Sequence, residues 1–193
     1  MNKNLLNKTN NGFEIINGVL VEYTGIEENV IIPDGVTSIG KNAFCGCDSL
    51  TSITIPDGVT SIGEAAFFEC NSLTNITIPD SVTSIGEWAF DSCKSLTSVN
   101  LGNGVTSIGD YTFCGCTNLV SIDIPDSVTS IGEKAFSWCE SLESITLPAS
   151  VISIGDYAFE CCDKCCDNFT IQTYPNSYAA QYAKENNIEL EII

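Results

Sequence analysis

A phrase of 23 residues recurs six times in this 193-residue chain. The second copy runs from Ile55 to Thr77 and reads IPDGVTSIGEAAFFECNSLTNIT. The six copies begin at Ile32, Ile55, Ile78, Leu101, Ile124 and Leu147. Self-similarity at a fixed period of this length is typical of a solenoid, in which each repeat forms one coil and stacks on the next. We therefore expect one elongated repeat domain, whose coils are stable only because neighbouring coils supply hydrogen bonds and buried surface.

The pattern inside each repeat predicts a strand, a turn, a second strand, a short helix and a return to the first strand. The alternation around Ile76–Ile78 has the period of a strand with one buried face. Val59–Ile62 is rich in β-branched residues and indicates a second short strand. Glu64–Cys70 lacks proline and glycine, so we expect about two turns of α- or 3₁₀-helix there. Eight positions stay apolar and should form the core, in the second copy Ile55, Val59, Ile62, Ala66, Phe67, Cys70, Leu73 and Ile76.

The corners carry turn chemistry. Ile55–Gly58 places proline second, aspartate third and glycine fourth, the order preferred in a type I turn that starts at Ile55. A second glycine is present in all six copies, at Gly40, Gly63, Gly86, Gly109, Gly132 and Gly155. Its recurrence indicates either a positive φ or a backbone approach that leaves no room for a Cβ atom.

The residues that carry this argument resemble a known repeat. The pattern Leu-x-x-Ile-x-Ile-Pro-Asp-x-Val-Thr-Ser-Ile-Gly-x-x-Ala-Phe-x-x-Cys is similar to the BspA-type leucine-rich repeat, and the resemblance covers Ile32–Thr170. It implies an α/β repeat solenoid, a right-handed leucine-rich-repeat coil with parallel sheets and short helices. It also implies a bacterial surface or secreted protein linked to adhesion and protein binding, with no shared catalytic residues.

The flanking segments predict caps. We expect a flexible N-terminus over 1–12, an N-terminal cap over 13–31 containing a hairpin with a type I′ turn at Asn17-Gly18, six repeats over 32–170 and a C-terminal cap over 171–193. The spacing predicts a helix over Tyr178–Asn187 with Ser177 as N-cap, followed by a strand over Ile188–Ile193. One face of that helix should carry Tyr178, Ala179, Tyr182 and Ala183. The sixth repeat is irregular, and counting from its cysteine predicts one inserted residue before the next strand.

Charge excludes several functions. The formal net charge is −18, from 25 acidic residues against seven lysines, with neither arginine nor histidine. Without arginine, the main reader of phosphates and base edges, nucleic-acid binding is not expected. The absence of histidine removes the commonest general base and metal ligand, which argues against an enzyme and against a cofactor. No stretch approaches the length of a membrane span, so we expect no membrane insertion.

Nine of the eleven cysteines fall into two groups that share Cys162. One group forms a column at the repeat period, Cys47, Cys70, Cys93, Cys116, Cys139 and Cys162. Free cysteine packs as a small buried hydrophobe, so we expect reduced core residues there. The second group makes the short cluster Cys161, Cys162, Cys165 and Cys166, which is a weak candidate for a metal site because no second ligand cluster accompanies it.

Two surfaces are candidate binding sites. Trp88, Tyr111 and Tyr157 share one column beside the expected short helices, with Trp138 nearby. Residues of these types dominate binding hot spots. Acids flank them at Glu87, Asp110, Glu133 and Asp156, which favours a basic partner. The alternative is that these rings only pack between coils. The other surface is the outward side of the first strands, represented by Asn75, Ser98 and Ser121, which the resemblance identifies as the usual ligand face.

We expect a monomeric, non-catalytic protein-interaction scaffold. The alternative is an adhesin-like cell-surface protein that binds host protein or glycan, as the resemblance implies. Met1–Asn11 lacks the apolar core of a signal peptide, and the reduced-looking cysteines favour a cytoplasmic location, whereas the resemblance favours the cell surface. The sequence leaves these locations open.

Overall fold

The structure is a computed structural model that describes residues 6–8, 11–162 and 169–193. It confirms the predicted architecture: a parallel-sheet solenoid whose coils are joined by two columns of short strands and a column of turns. A single α-helix, α1 (Tyr178–Glu185), is present among the described residues. The expected sequence of strand, turn and strand recurs in every complete repeat.

The second strand of each coil belongs to one face of the solenoid, the minor sheet. At its N-terminal edge three antiparallel strands precede the first coil, namely β1 (Leu6–Lys8), β2 (Phe13–Ile16) and β3 (Val19–Tyr23). Asn17 and Gly18 join β2 to β3 with φ of 51° and 82°, the geometry of a type I′ turn. The parallel strands that follow are β5 (Ser38–Ile39), β7 (Ser61–Ile62), β9 (Ser84–Ile85), β11 (Ser107–Ile108), β13 (Ser130–Ile131) and β15 (Ser153–Ile154).

The first strand of each coil belongs to the opposite column, the main sheet. Its strands are β4 (Asn29–Ile31), β6 (Ser52–Thr54), β8 (Asn75–Thr77), β10 (Ser98–Asn100), β12 (Ser121–Asp123), β14 (Ser144–Leu147), β16 (Thr170–Thr173) and β17 (Glu189–Ile192). Neighbouring strands run parallel with the repeat in register, so that Ser98 pairs with Asn75 on one side and with Ser121 on the other. The central residue of each strand points inward, and its neighbours face solvent.

The segments expected to be short helices are chains of turns, and that expectation is wrong. In the second repeat Ala65 and Glu69 adopt φ of 51° and 57°, which an α-helix does not contain. Alternate amides point out of the coil: the N–H of Ala65 donates to the carbonyl of Glu87 at 2.9 Å, and the N–H of Phe67 donates to the carbonyl of Ala89 at 2.8 Å. Hydrogen bonds to the next coil thus replace the bonds that a helix would make within itself.

The corners differ from expectation in one detail. The amide of Val59 donates to the carbonyl of Pro56 at 3.0 Å, so the turn starts at Pro56 rather than at Ile55. The position before the turn belongs to the ladder of hydrogen bonds between strands. Ile78, the counterpart of Ile55 in the next repeat, donates its backbone amide to the carbonyl of Asn100 in the following coil at 2.8 Å.

The recurrent glycine is explained by close approach. A Cβ atom on Gly86 would lie 2.5 Å from the backbone nitrogen of Glu64 and 2.7 Å from the carbonyl carbon of Gly63, both in the previous coil. The glycines with positive φ lie at other positions. At five of the six copies an added Cβ would lie 2.8 Å or less from a neighbouring atom, whereas at Gly109 the nearest atom is 3.4 Å away. Of the two explanations that the sequence left open, lack of room therefore accounts for five of these glycines.

The core is a set of ladders along the solenoid. All eight apolar positions of the second repeat are buried, as predicted. The rings of the phenylalanine column stack face to face, with centroids 5.0–5.5 Å apart, at Phe44, Phe67, Phe90, Phe113, Phe136 and Phe159. Tyr23 and Phe13 extend this stack at one end, and Phe169 extends it at the other.

The cysteine column lies beside the rings. Five of its six thiols are buried, and Cys47 in the first coil is half-buried. Each buried thiol donates to a phenylalanine carbonyl of the previous coil at 3.1–3.2 Å, for example Cys93 to Phe67 and Cys116 to Phe90. Burial raises the pKa of the Cys162 thiol to about 12 and holds the pKa of Cys116 well above its usual value.

The C-terminal end closes the array. Ser144 on β14 pairs with Thr170 on β16, so this coil has 26 residues, three more than the others rather than the single insertion expected. In α1 the side chain of Ser177 accepts from the amide of Ala180 at 3.1 Å. The buried face consists of Ala179, Ala180 and Ala183, and Tyr178, which was expected on that face, is 42% exposed.

Candidate functional site

Three of the four predicted aromatic residues form one column on the turn side of the solenoid. Trp88, Tyr111 and Tyr157 occupy the same repeat position, and Lys134 stands between the two tyrosines. All four have φ between 50° and 57°, the left-handed region that non-glycine residues rarely adopt. The amides of Trp88, Tyr111 and Lys134 donate to carbonyls of the next coil, as that of Tyr111 does to Glu133 at 2.9 Å, and this backbone geometry fixes where each side chain leaves the coil.

The side chains of this column touch each other. The rings of Trp88 and Tyr111 stack with centroids 5.6 Å apart, and both residues are half-buried. The ammonium of Lys134 lies 5.5 Å from the ring centre of Tyr111 and 5.7 Å from that of Tyr157, within the range of a cation–π contact. Charge interaction and hydrogen bonding with Tyr111 raise the pKa of Lys134 above its ordinary value.

A row of acidic residues runs beside the column, one in each coil. The row contains Glu64, Glu87, Asp110, Glu133 and Asp156, and Lys41 takes its place in the first coil. Lys41 forms an ion pair with Glu64 at 2.7 Å, and the hydroxyl of Tyr111 donates to Glu133 at 3.1 Å. A shallow groove of about 590 Å³ separates four of the acids from the minor sheet. We call the column and these four acids the aromatic–acidic surface: Trp88, Tyr111, Lys134, Tyr157, Glu87, Asp110, Glu133 and Asp156.

Trp138 does not belong to this surface. It stands four residues after Lys134 in the chain, in a second positive-φ column whose other members are Gly46, Glu69, Ser92, Gly115 and Cys161. Its side chain is 51% exposed. Trp88, Tyr111 and Tyr157 thus share one column and Trp138 lies in another, because the turn segment alternates in direction where a helix would have kept one face.

The main sheet presents the other candidate surface. Asn75, Ser98 and Ser121 pair in register on β8, β10 and β12, and all three side chains are exposed. The threonines just before β8 and β10 donate their hydroxyls to carbonyls of the previous coil, as Thr97 does to Thr74 at 3.0 Å. The row is thus a flat set of small polar groups without a large anchoring side chain.

The cysteine cluster is only partly described. Cys161 is exposed, whereas Cys162 is buried and donates its S–H to the carbonyl of Phe136 at 3.1 Å. Cys165 and Cys166 lie outside the described residues. Within the described ranges, no three potential ligands of the histidine, cysteine, aspartate or glutamate type come together in a way that could hold a metal ion.

Sequence reasoning missed two features. Lys134 shares the repeat position of Trp88, so aligning the copies could have placed it on the aromatic–acidic surface. A cavity between the last coil and α1, lined by Tyr178 and Tyr182, had no such signal because it depends on how the cap helix packs. For the described residues, α1 is the only helix, and no helix is long and apolar enough to cross a membrane.

Stacked coils with parallel strands around ladders of leucine, isoleucine and phenylalanine define a leucine-rich-repeat solenoid. The sequence matches the family described as the BspA type Leucine rich repeat region, with six copies, over residues 16–119 and 106–193. The chain belongs to this family. No curated protein matches its sequence.

Solved bacterial structures share the fold. A leucine-rich repeat protein from Eubacterium ventriosum ATCC 27560 is 26% identical with a TM-score of 0.72, over 79% of this chain and 49% of its own. A leucine rich cell surface protein from Faecalibacterium prausnitzii A2-165 is 33% identical with a TM-score of 0.61, over 86% of this chain and 54% of its own. A T. pallidum Leucine Rich Repeat protein is 29% identical with a TM-score of 0.52, over 80% and 62% respectively. The chain thus spans about half to three fifths of the length of these relatives.

Proposed function

We propose that this protein is a non-catalytic protein-interaction scaffold and that its aromatic–acidic surface binds a basic protein partner. The observation that carries the proposal is the position of Lys134. Its ammonium lies in cation–π range of two tyrosine rings and 4.0 Å from the carboxylate of Glu133. The surface therefore already accommodates one lysine side chain of the chain itself, which is the chemistry that a basic partner would supply.

Charge supports the same proposal. Within the part of the chain that the structure describes, Glu87, Asp110 and Asp156 have no lysine within ion-pair distance, whereas Glu133 faces Lys134. Three neighbouring carboxylates on a protein of net charge −18 produce a negative field that attracts a cationic partner and weakens with added salt. Exposed carboxylates steer association more than they add to affinity, so the rings must supply much of the binding energy.

The non-catalytic part of the proposal rests on composition. The chain contains no histidine, so no nucleophile can be paired with the commonest general base. The groove beside the acids is open and shallow, whereas catalysis requires groups that converge in a site from which water is excluded. Family membership supports a scaffold as well, because repeat solenoids present extended surfaces for partners.

A second function is favoured by one relative. The Faecalibacterium prausnitzii structure, 33% identical to this chain, is a cell surface protein. An adhesin-like role on the cell surface, with a host protein or glycan as the ligand, is the corresponding alternative for this chain. It differs from the first proposal in the location of the partner rather than in the fold.

The test compares immobilised wild-type protein with two variants of equal charge. In the first, Glu87→Gln, Asp110→Asn, Glu133→Gln and Asp156→Asn neutralise the proposed surface. In the second, Asp123→Asn, Glu143→Gln, Glu189→Gln and Glu191→Gln remove the same charge from the main-sheet side. Each is incubated with a lysate of the source cells and with extracellular host proteins, and the retained proteins are identified by mass spectrometry.

We expect a basic protein that the wild type and the second variant retain and the first variant loses. Loss only from the second variant would move the site to the main sheet and overturn the proposed surface. Retention of extracellular proteins or glycans, with none from the lysate, would favour the adhesin.

A further inference from the structure

A cavity of about 580 Å³ lies between the last coil and α1. We call it the cap pocket and define it by the three tyrosines and three acids that line it: Asp156, Tyr157, Glu160, Tyr178, Tyr182 and Glu185. The first three belong to the turn segment of the last coil, and the other three to α1. The pocket exists because the small side chains on the buried face of α1 let the helix pack closely on the array, while its tyrosines stand at the margin.

The lining combines aromatic rings with negative charge. Tyr157 and Tyr178 are 61% and 42% exposed, so they offer ring surface to a ligand. Tyr182 is half-buried and sits edge-on to Phe159, with ring centres 6.2 Å apart. Desolvation raises the pKa of Tyr182 to about 12, so its hydroxyl remains neutral at physiological pH.

The only charged side chains among the described lining residues are three carboxylates, Asp156, Glu160 and Glu185. These carboxylates would repel an anionic ligand. A purely apolar ligand would desolvate them without providing a compensating interaction. A cation gains from both the carboxylates and the ring faces. A bare metal ion fits poorly, because no three acids among the described residues come close enough to coordinate one.

The chain indicates which cation fits. Tyr157 lines the pocket and also lies 5.7 Å from the ammonium of Lys134, which in turn faces Tyr111. A primary ammonium on a flexible alkyl stem is therefore a group that Tyr157, which lines the pocket, already contacts. Its stem can lie along ring and aliphatic surface while the charged end reaches a carboxylate.

We propose that the cap pocket binds an alkylammonium group, supplied either by a lysine side chain of a protein partner or by a free diamine. The proposal rests on the proposed function, because it makes the pocket the end of the aromatic–acidic surface, where Tyr157 and Asp156 are shared. It extends that surface beyond the repeats and onto the cap helix.

Isothermal titration calorimetry tests the proposal with three probes. These are the peptide Gly-Gly-Lys-Gly-Gly with blocked ends, the same peptide with an acetylated lysine, and 1,5-diaminopentane. The variants are Tyr178→Ala and Glu185→Gln, both on the outer side of α1, where alanine and glutamine favour the helix. Tyr174→Ala and Glu143→Gln are the matched controls, because both residues are exposed and neither lines the pocket.

We expect the lysine peptide or the diamine to bind the wild type and both controls, and at least tenfold weaker binding to each pocket variant. The acetylated peptide should not bind. Binding of the lysine peptide without the diamine assigns the ligand to a protein partner, and the reverse assigns it to a free diamine. Equal binding of the acetylated peptide, or unchanged affinity of both pocket variants, would overturn the proposal.

The two proposals fail separately. If neither cation binds while neutralising Glu87, Asp110, Glu133 and Asp156 still abolishes partner capture, the cap pocket is rejected and the interaction surface stands. If the cations bind as expected and partner capture does not depend on those four acids, the pocket stands and the proposed surface is rejected.

Discussion

The thiol of Cys93 donates a hydrogen bond to the carbonyl oxygen of Phe67, one coil earlier, at 3.1 Å. The same carbonyl accepts from the amide of Cys70 at 3.2 Å. Each buried cysteine of the column thus packs beside the stacked rings and also donates to a carbonyl of the neighbouring coil. Alanine would lose the contact and the hydrogen bond, and serine would place a more strongly solvated group in an apolar site.

The ring stack predicts where stability resides. Phe90 is fully buried between Phe67 and Phe113, so replacing Phe90 with alanine should cost about 3–5 kcal/mol in unfolding free energy through the cavity it leaves. Thr97→Ala is the control, because Thr97 is exposed and its hydroxyl makes one hydrogen bond, to the carbonyl of Thr74. It should cost less than about 1.5 kcal/mol. Urea denaturation measures both, and equal shifts would contradict the assignment of the inward positions.

The glycine column was visible in the sequence, but its cause was not. The recurrence of glycine at the repeat position of Gly86 showed that this position is constrained. Only the structure shows that the backbone of Gly63 and Glu64 in the previous coil occupies the space that a Cβ on Gly86 would need. The parallel sheets and the buried positions could likewise be predicted, because apolar periodicity reports which side chains point inward.

The turn segments could not be predicted, for a physical reason. Ala65 and Trp88 are ordinary helix-compatible residues, yet both adopt positive φ because their amides bond to the next coil. Local propensity carries no information about those partners, so the sequence favoured a helix. The cap pocket depends on packing between α1 and the last coil, which no local pattern reports.

Glycine substitutions should therefore have opposite signs at different corners. Gly86→Ala places a methyl group 2.5 Å from backbone of the previous coil and should destabilise by about 3 kcal/mol, since backbone cannot yield as a side chain can. Gly58→Ser should stabilise by about 0.5–1 kcal/mol. At Gly58 the nearest atom to an added Cβ is the carbonyl oxygen of Val36 at 3.5 Å. The equivalent Ser81 donates to the equivalent carbonyl, that of Val59, at 2.7 Å.

Thermal unfolding of the two glycine variants beside the wild type gives the signs directly. A stabilised Gly86→Ala protein would show that the coils can move apart at that position, which contradicts close approach as the reason for the glycine.

Glycine substitutions in the two columns of positive φ should increase the free energy of unfolding. Ala65→Gly and Glu69→Gly remove the penalty of about 1–2 kcal/mol for a left-handed residue and add about 0.5–1 kcal/mol of backbone entropy cost. The expected net gain is about 0.5–1 kcal/mol each, and Gly46 and Gly115 already occupy the position of Glu69 in their coils. Ala66→Gly is the control, since Ala66 is buried and outside these columns, and it should lose stability. Chemical denaturation measures the stability of the three variants. Loss of stability in all three would contradict the idea that positive φ strains the backbone at Ala65 and Glu69.

The buried thiols predict chemical protection. Cys70, Cys93, Cys116 and Cys139 should react with a thiol reagent only after unfolding, whereas the exposed Cys45 and Cys161 should react in the native protein. Thiol counting with and without denaturant measures the difference. Disulfides along the column, seen by mass spectrometry of the unreduced protein, would contradict the reduced core.

The same thiols predict sensitivity to alkali. Burial raises the pKa of Cys116 well above the usual value of 9.0. A thiol whose pKa is raised in the folded state contributes to the free energy of unfolding. That contribution is fully present below about pH 9 and is lost as the pH rises, because the thiol of the unfolded chain ionises first. At about pH 10 this loss is about 1.4 kcal/mol for one fully protected thiol. Cys116→Ala should be less stable at pH 7 yet decline less between pH 7 and about pH 10, as urea midpoints at each pH would show. A parallel decline would mean that Cys116 ionises as readily in the folded protein as in the unfolded one.

The last prediction separates the two candidate surfaces by affinity for a captured partner. Trp88→Asn with Tyr111→Asn removes the stacked rings of the aromatic–acidic surface, and asparagine suits the backbone because Asn42 occupies the same column with φ of 58°. We expect at least tenfold weaker binding, since large rings supply contact area at low entropic cost. The matched variant carries arginine on the main sheet, at Asn75, Ser98 and Ser121. It should bind nearly as well as wild type, although its added positive charge would slow a basic partner slightly. Surface plasmon resonance at low and high salt measures both variants. Survival of affinity without the two rings, together with its loss in the arginine variant, would show that the main sheet is the binding face and that Trp88 and Tyr111 only pack between coils.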